Sequence, residues 1–210
     1  MTDFGLYLVM TNPVVGYERC CEAAVKAGVG IVQLRMKDAP RGEIVSVAHS
    51  LRSITAGTNT LFIVNDDPSI AAEAEADGVH VGQTDMPVAE VRRIYPSLGI
   101  VGKSTHSLAQ AEASCAERPD YIGVGPVWPT PTKNIPDPTL GVEEAVRMVR
   151  AVDCPAVAIG GIDEGRLPEL VQAGIRNFAV VRAVCGSADP YGAIRRLQDA
   201  FVRGDGRGDG

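Results

Sequence analysis

Two carboxylates open the chemistry of this chain. Asp66 follows the apolar run Leu61–Asn65, and Asp85 follows shortly after the run Gly78–Val81. Carboxylates that converge repel one another unless a cation lies between them. Mg²⁺ suits such a pair, because it takes oxygen ligands, uses one or two carboxylates and completes its shell with phosphate oxygens and water. Taken alone, Asp85 could equally cap the helix that opens near Pro87. Asp67 is a rival ligand, although the Asp67–Pro68 step reads as a helix start. Against these acids stand cations. In Gln33-Leu34-Arg35-Met36-Lys37 the polar residues recur at every second position, so Gln33, Arg35 and Lys37 face one side if strand geometry persists. Lys133 joins them, with Lys103 nearby. Carboxylates, Mg²⁺ and cations together describe a diphosphate grip, in which positive charge offsets the negative charge that builds on a leaving group.

A second, lighter anion site is legible further along. Ala158-Ile159-Gly160-Gly161-Ile162 and Val180-Val181-Arg182-Ala183 each close an apolar run. A glycine pair lets backbone N–H groups approach an anion closely. Ahead of both, the stretch Gly125 to about Thr139 is the longest irregular segment, and its Thr130-Pro131-Thr132-Lys133 places hydroxyls and an amine where phosphate or carboxylate oxygens could be held. Other chemistries lack support. His49 lies in a helical stretch, no serine in a nucleophile elbow accompanies His80 or His106, and neither a GxGxxG nor a P-loop occurs.

Eight short β-type runs must position these residues: Leu6–Met10, Gly30–Arg35, Leu61–Asn65, Gly78–Val81, Ile100–Ser104, Tyr121–Gly125, Ala156–Gly160 and Asn177–Val181. Helical periodicity fills the gaps. Ile44, Val47, Ala48, Leu51 and Ile54 share a face, Ser107 with Gln110 forms a capping-box pattern, and Asp189-Pro190 opens the last helix. Eight strands alternating with helices fit either an open doubly wound sheet or a closed barrel. Uninterrupted repetition within 210 residues favours an α/β fold with a single (β/α)8 TIM barrel, spanning residues 1–202, with a flexible tail over 203–210. In such a barrel, function gathers at the C-terminal ends of the strands, where the residues above lie.

Composition narrows the remaining possibilities. Hydrophobic residues make up 45% and charged residues 22%, which excludes wholesale disorder. A net charge of −6 without a basic face argues against nucleic-acid binding. No run approaches the ~20 apolar residues of a membrane span, and the start carries no basic signal-like region, so a cytoplasmic location is expected. Five cysteines without a CxxC pair read as free, mostly buried thiols, not as a zinc site or disulfide framework.

The segments LYLV, QLRMK (33–37), ND (65–66), DGVHVGQTD (77–85), KSTH (103–106), DYIGVGPVWPTPTK (120–133), AIGGI (158–162) and AVVRA (179–183) resemble thiamine phosphate synthase, in order and over nearly the whole chain. The resemblance implies a Mg²⁺-assisted enzyme that joins hydroxymethylpyrimidine diphosphate to a thiazole phosphate, with release of diphosphate. It implies that Gln33, Leu34, Arg35, Met36, Lys37, Asn65, Ser104 and Lys133 hold the pyrimidine diphosphate, with Arg35, Lys37, Ser104 and Lys133 catalytic. Thr130, Pro131, Thr132, Gly160, Gly161, Val181 and Arg182 would hold the thiazole phosphate, and Asp66 and Asp85 the metal. The implied partners are small-molecule substrates, with no nucleic acid and no membrane; a homo-oligomer is compatible. The implied mechanism is dissociative and needs no protein base. Departures from the family pattern are Met36, Ser69, Arg182 and the stretch Met10-Thr11-Asn12-Pro13. A thiazole tautomerase-like paralogue would carry a histidine where this chain has Pro126. A ligand-binding barrel without catalysis would not need the acid pair or QLRMK, and a sugar-phosphate isomerase barrel would need an acid/base pair that is not evident.

Overall fold

A computed structural model describes residues 3–130 and 138–206. Eight parallel strands close into a barrel in sequence order: β1 (Leu6–Met10), β2 (Ile31–Leu34), β3 (Leu61–Asn65), β4 (Gly78–Val81), β5 (Ile100–Thr105), β6 (Tyr121–Val124), β7 (Ala156–Ile159) and β8 (Phe178–Val180). The seam closes where Leu6, Tyr7 and Leu8 pair with Phe178, Ala179 and Val180. The TIM-barrel expectation is therefore met; β1, β3 and β4 coincide with the sequence runs, and the other five strands are one or two residues shorter or longer.

Around them lie α1 (Tyr17–Lys26), α2 (Arg41–Thr55), α3 (Pro68–Glu73), α4 (Val88–Ile94), α5 (Leu108–Ala116), α6 (Gly141–Arg150), α7 (Leu167–Gln172), α8 (Arg182–Cys185) and α9 (Pro190–Gly204). Their starts follow local chemistry. Asp67 accepts from the amides of Ser69 and Ile70 with Pro68 in the first turn, Ser107 accepts from the Gln110 amide, and Asp189 accepts from Gly192. Gln110 completes only half of the expected capping box, because its Oε1 takes the His106 amide.

Strand alternation splits the core into two layers. Tyr7, Val9, Ile31, Ile63, Tyr121, Val157 and Ala179 fill the barrel interior, while Leu8, Val32, Leu34, Val64, Val79 and Ile122 pack outward against the helices. The scarcity of aromatics concentrates them inside, where Tyr7 and Tyr121 sit edge to face with centroids 5.7 Å apart. Gly102 makes room for this, since a Cβ there would come within 2.2 Å of the Tyr121 ring.

Two expectations are corrected. Cys115 at the end of α5 and Cys154 just before β7 are joined by a disulfide, with Cα atoms 6.0 Å apart across a sequence separation of 39. Sequence spacing gave no hint of the pair, because the two segments become neighbours only when β6 and β7 pair. Cys20, Cys21 and Cys185 are free and buried, as expected. The last helix runs through Arg203 and Gly204, past the expected domain end at 202, and Asp205 forms an ion pair with Arg176. No helix among the described residues is long and apolar enough to cross a membrane.

Candidate active site at the C-terminal rim

Two cavities open at the rim where the strands end. The deeper one, about 300 Å³, descends between Tyr7, Gln33, His80 and Tyr121 and reaches sideways to Gly160, Gly161, Val181 and Arg182. The outer one, about 980 Å³, lies between Lys37, Asp66 and Asp85. Arg35, Asn65, Ser104 and His106 line both, so they form the wall through which the two communicate.

The outer cleft is built around its acids. Asp66 sits at φ 66°, a left-handed conformation uncommon for a residue with a side chain, immediately after β3. Its carboxylate meets Lys37 Nζ at 3.2 Å. Burial raises the Asp66 pKa above the ordinary carboxylate value; Lys37 opposes this, and the neighbouring Asp85 adds to it. Asp85 does not cap the next helix, whose N-cap is Pro87 with no side-chain cap bond. Its carboxylate turns back instead to accept from the Gly82 amide at 2.6 Å. Two acids facing each other, one of them strained and disfavoured as an anion, fit a divalent cation. Among the described residues no third His, Cys, Asp or Glu completes a metal cluster. The donor set therefore fits a hard ion that keeps oxygens of its ligand and solvent, not a closed protein cage. Asp67, the rival, is occupied as the α3 cap.

Arg35 is a buried cation in the wall between the two cavities. It is only 6% exposed, its Nη1 reaches Thr11 Oγ1 at 3.5 Å, and its buried Nε has no partner among the described residues. Burial lowers its pKa, with Asp66 opposing that effect. A buried, unsatisfied guanidinium N–H is costly without an acceptor to complete it.

Several sequence assignments need correction. Leu34, named with the diphosphate segment, points its side chain into the helix–barrel layer and lines neither cavity. Met36 packs against the same layer but does border the outer cleft. Lys103 faces outward by strand parity, is 6% exposed, and pairs with Glu117 at the end of α5, so it is no anion-binding cation. Gln83 is committed to the Ser104 carbonyl at 2.6 Å. Gly160 and Gly161 both have positive φ, and added Cβ atoms would lie 2.6 Å from Pro126 and 2.7 Å from Trp128 respectively. Their lack of side chains serves close packing of the β6 loop as well as any anion, so replacing either would disturb both. Thr130 lines the deep cavity; Pro131, Thr132 and Lys133 lie outside the described residues.

Sequence reasoning missed Tyr7, Tyr121 and Arg166, and the contact between His80 and Ser104. Tyr7 and Tyr121 count as hydrophobes in periodicity, yet their hydroxyls bond at 2.8 Å beneath the cavity. Their inward parity in LYLV and DYIGVG is the signal that could have found them. No nucleophile elbow is involved, but His80 does meet a serine of the neighbouring strand: Nε2 lies 2.8 Å from Ser104 Oγ in β5. Arg166, stacked over Trp128 and donating to the Gly161 carbonyl at 2.7 Å, adds a cation at the glycine end.

The family model for thiamine monophosphate synthase matches residues 6–184. The chain belongs to that family. Among its relatives, the thiamine-phosphate synthase of Anaeromyxobacter dehalogenans is 38% identical over 95% of this chain and 89% of its own. That of Methanoculleus marisnigri is 37% identical over 97% and 99%. The chain spans 54% of the Gloeobacter violaceus relative, to which it is 41% identical. Thiamine phosphate pyrophosphorylase from Pyrococcus furiosus superposes with a TM-score of 0.88 at 31% identity, over 96% of both chains. A 3-hexulose-6-phosphate synthase from Salmonella typhimurium, with a TM-score of 0.76 and 16% identity, shares the fold alone. Thiamine-phosphate synthases are transferases of thiamine biosynthesis.

Proposed function

We propose that this chain condenses hydroxymethylpyrimidine diphosphate with a thiazole phosphate, which carries a carboxylate or not, to give thiamine phosphate and diphosphate. One observation carries the reading: a carboxylate-and-cation cleft and a glycine-turn cavity share the wall Arg35–Asn65–Ser104–His106, so two anionic substrates could meet there. In this reading Asp66 and Asp85 hold Mg²⁺, which supplies positive charge against the diphosphate. Arg35 completes its unpartnered Nε on a diphosphate oxygen, and Lys37 and Lys133 add charge as the C–O bond breaks and the electron pair leaves with diphosphate. Asn65 and Ser104 orient the pyrimidine, whose amino group supports the cation left behind. Thr130, Thr132, Gly160, Gly161, Val181 and Arg182 hold the thiazole phosphate so that its ring nitrogen can close the new C–N bond. No protein nucleophile is required, and positioning with charge supplies the catalysis.

The test is direct. Purified protein with both substrates and Mg²⁺ should release thiamine phosphate and diphosphate in equal amounts, stop with a chelator, and recover on adding Mg²⁺. Absence of thiamine phosphate under those conditions overturns the reading; turnover that ignores the chelator overturns the metal assignment.

A further inference from the structure

Beneath the deep cavity a single file of hydrogen bonds crosses the barrel interior from β2 to β5. Gln33 Nε2 donates to Tyr7 Oη at 2.6 Å, Tyr7 Oη meets Tyr121 Oη at 2.8 Å, Tyr121 Oη meets His80 Nδ1 at 3.0 Å, and His80 Nε2 meets Ser104 Oγ at 2.8 Å. All five residues, from Gln33 to Ser104, line the cavity.

The file has a direction. An amide nitrogen can only donate, so Tyr7 accepts from Gln33 and passes its own hydrogen to Tyr121. A phenol has one hydrogen to give, and burial pushes both phenols up, so each keeps its proton. Tyr121 must then donate to His80 Nδ1. A neutral imidazole that accepts at one nitrogen donates at the other, which fixes the Nε2–H tautomer. His80 Nε2 therefore donates to Ser104, whose Oγ is an acceptor on that side and keeps its own hydrogen for whatever occupies the cavity.

We propose that His80 is a positioning residue, acting through Ser104 by holding the serine hydroxyl as a hydrogen-bond donor toward the pyrimidine substrate, in a polarity imposed by Gln33 through Tyr7 and Tyr121. This rests on the function proposed above for its substrate, though not for its geometry. The same polarity excludes His80 as a base for Ser104, because the imidazole nitrogen facing the serine already bears the proton. The surroundings are shaped for the file: the His80 and Tyr121 rings stack with centroids 5.5 Å apart, and an added Cβ at Gly123 would stand 3.5 Å from His80 Cε1.

Two measurements test it. Long-range ¹⁵N–¹H spectra of the wild-type protein, with the His80 signals assigned from their loss in His80→Gln, should show the Nε2–H tautomer; an Nδ1–H tautomer overturns the proposal, whether or not the enzyme makes thiamine phosphate. The second is a double-mutant cycle in the coupled assay. Gln carries a donor where His has Nε2, whereas Asn carries one where His has Nδ1. His80→Asn should lower kcat/KM for the pyrimidine diphosphate on the order of 10-fold to 100-fold, leave KM for the thiazole phosphate unchanged, and be rescued at least tenfold by His80→Gln. In a Ser104→Ala background, His80→Asn should add no further loss. Additive losses in that cycle, or equal activity of the Asn and Gln variants, would mean that His80 does not act through Ser104.

Discussion

Asp66 shows how much a single residue can carry. It ends β3, takes a left-handed backbone turn, and presents a carboxylate beside Asp85 that burial disfavours as an anion. Asn tolerates that conformation better than other replacements, since its short polar side chain bonds locally. Asp66→Asn should therefore keep the fold, with a melting temperature equal to or above that of the wild type without Mg²⁺, because a half-buried charge beside Asp85 is removed. Its turnover should fall roughly 100-fold or more, and the rise in melting temperature that Mg²⁺ gives the wild type should disappear. A thermal-shift titration with a parallel activity assay reads all three. At this scale the sequence was informative where polarity interrupts an apolar run: Gln33, Arg35, Asn65, Asp66, Asp85 and Ser104 all border the cavities. It was silent on Tyr7, Tyr121 and the His80–Ser104 contact, because a tyrosine in a strand satisfies a hydrophobic pattern and its hydroxyl leaves no periodic trace.

Elements are fixed by their ends as much as by their faces. Asp67 would have its pKa raised by burial, but the Ser69 hydroxyl, the Ile70 and Ser69 amides and the Arg41 charge outweigh this and hold it below the ordinary carboxylate value. A depressed pKa stabilises the fold above the unfolded-state value and ceases to do so as pH falls through the folded one. Asp67→Ala should accordingly cost about 1 kcal/mol at neutral pH, and the gap to wild type should close below about pH 4; urea melts at several pH values check the sign. The starts of α3, α5 and α9 were legible because Asp or Ser beside Pro or Gln has a local mechanism. The Lys103–Glu117 pair and the Cys115–Cys154 link were not: the first needs α5 folded back on β5, and the second needs β6 and β7 paired.

At the scale of the whole molecule, closure depends on a seam that no local pattern reveals. Asn177 Oδ1 accepts from the Phe4 and Gly5 amides at 2.9 and 3.2 Å, and its Nδ2 reaches the Ala156 carbonyl at 3.4 Å, so one side chain ties the start of β1 to β8 and β7. Asn177→Ala should lower stability by about 1–3 kcal/mol through the unmet amides, shifting the urea midpoint with little change in slope. Amide exchange should quicken first at Phe4 and Gly5. The barrel itself was legible because eight alternations leave few topologies. The seam residue was not: Asn177 opens the run Asn177–Val181, and no local pattern says that its side chain serves two other strands.

The alternation of strand faces has a consequence for how such a protein changes over time. Each strand writes two interleaved messages, one read by the cavity and one by the helices: Ser104 belongs to the first, Lys103 to the second. An edit to one leaves the other legible, so the lining can be revised while the packing layer stays as it was. A one-residue insertion within β5 would transpose the two messages at once, placing a lysine where the serine stands. Drift by substitution is thus open to this rim, and drift by insertion is confined to the loops beyond it.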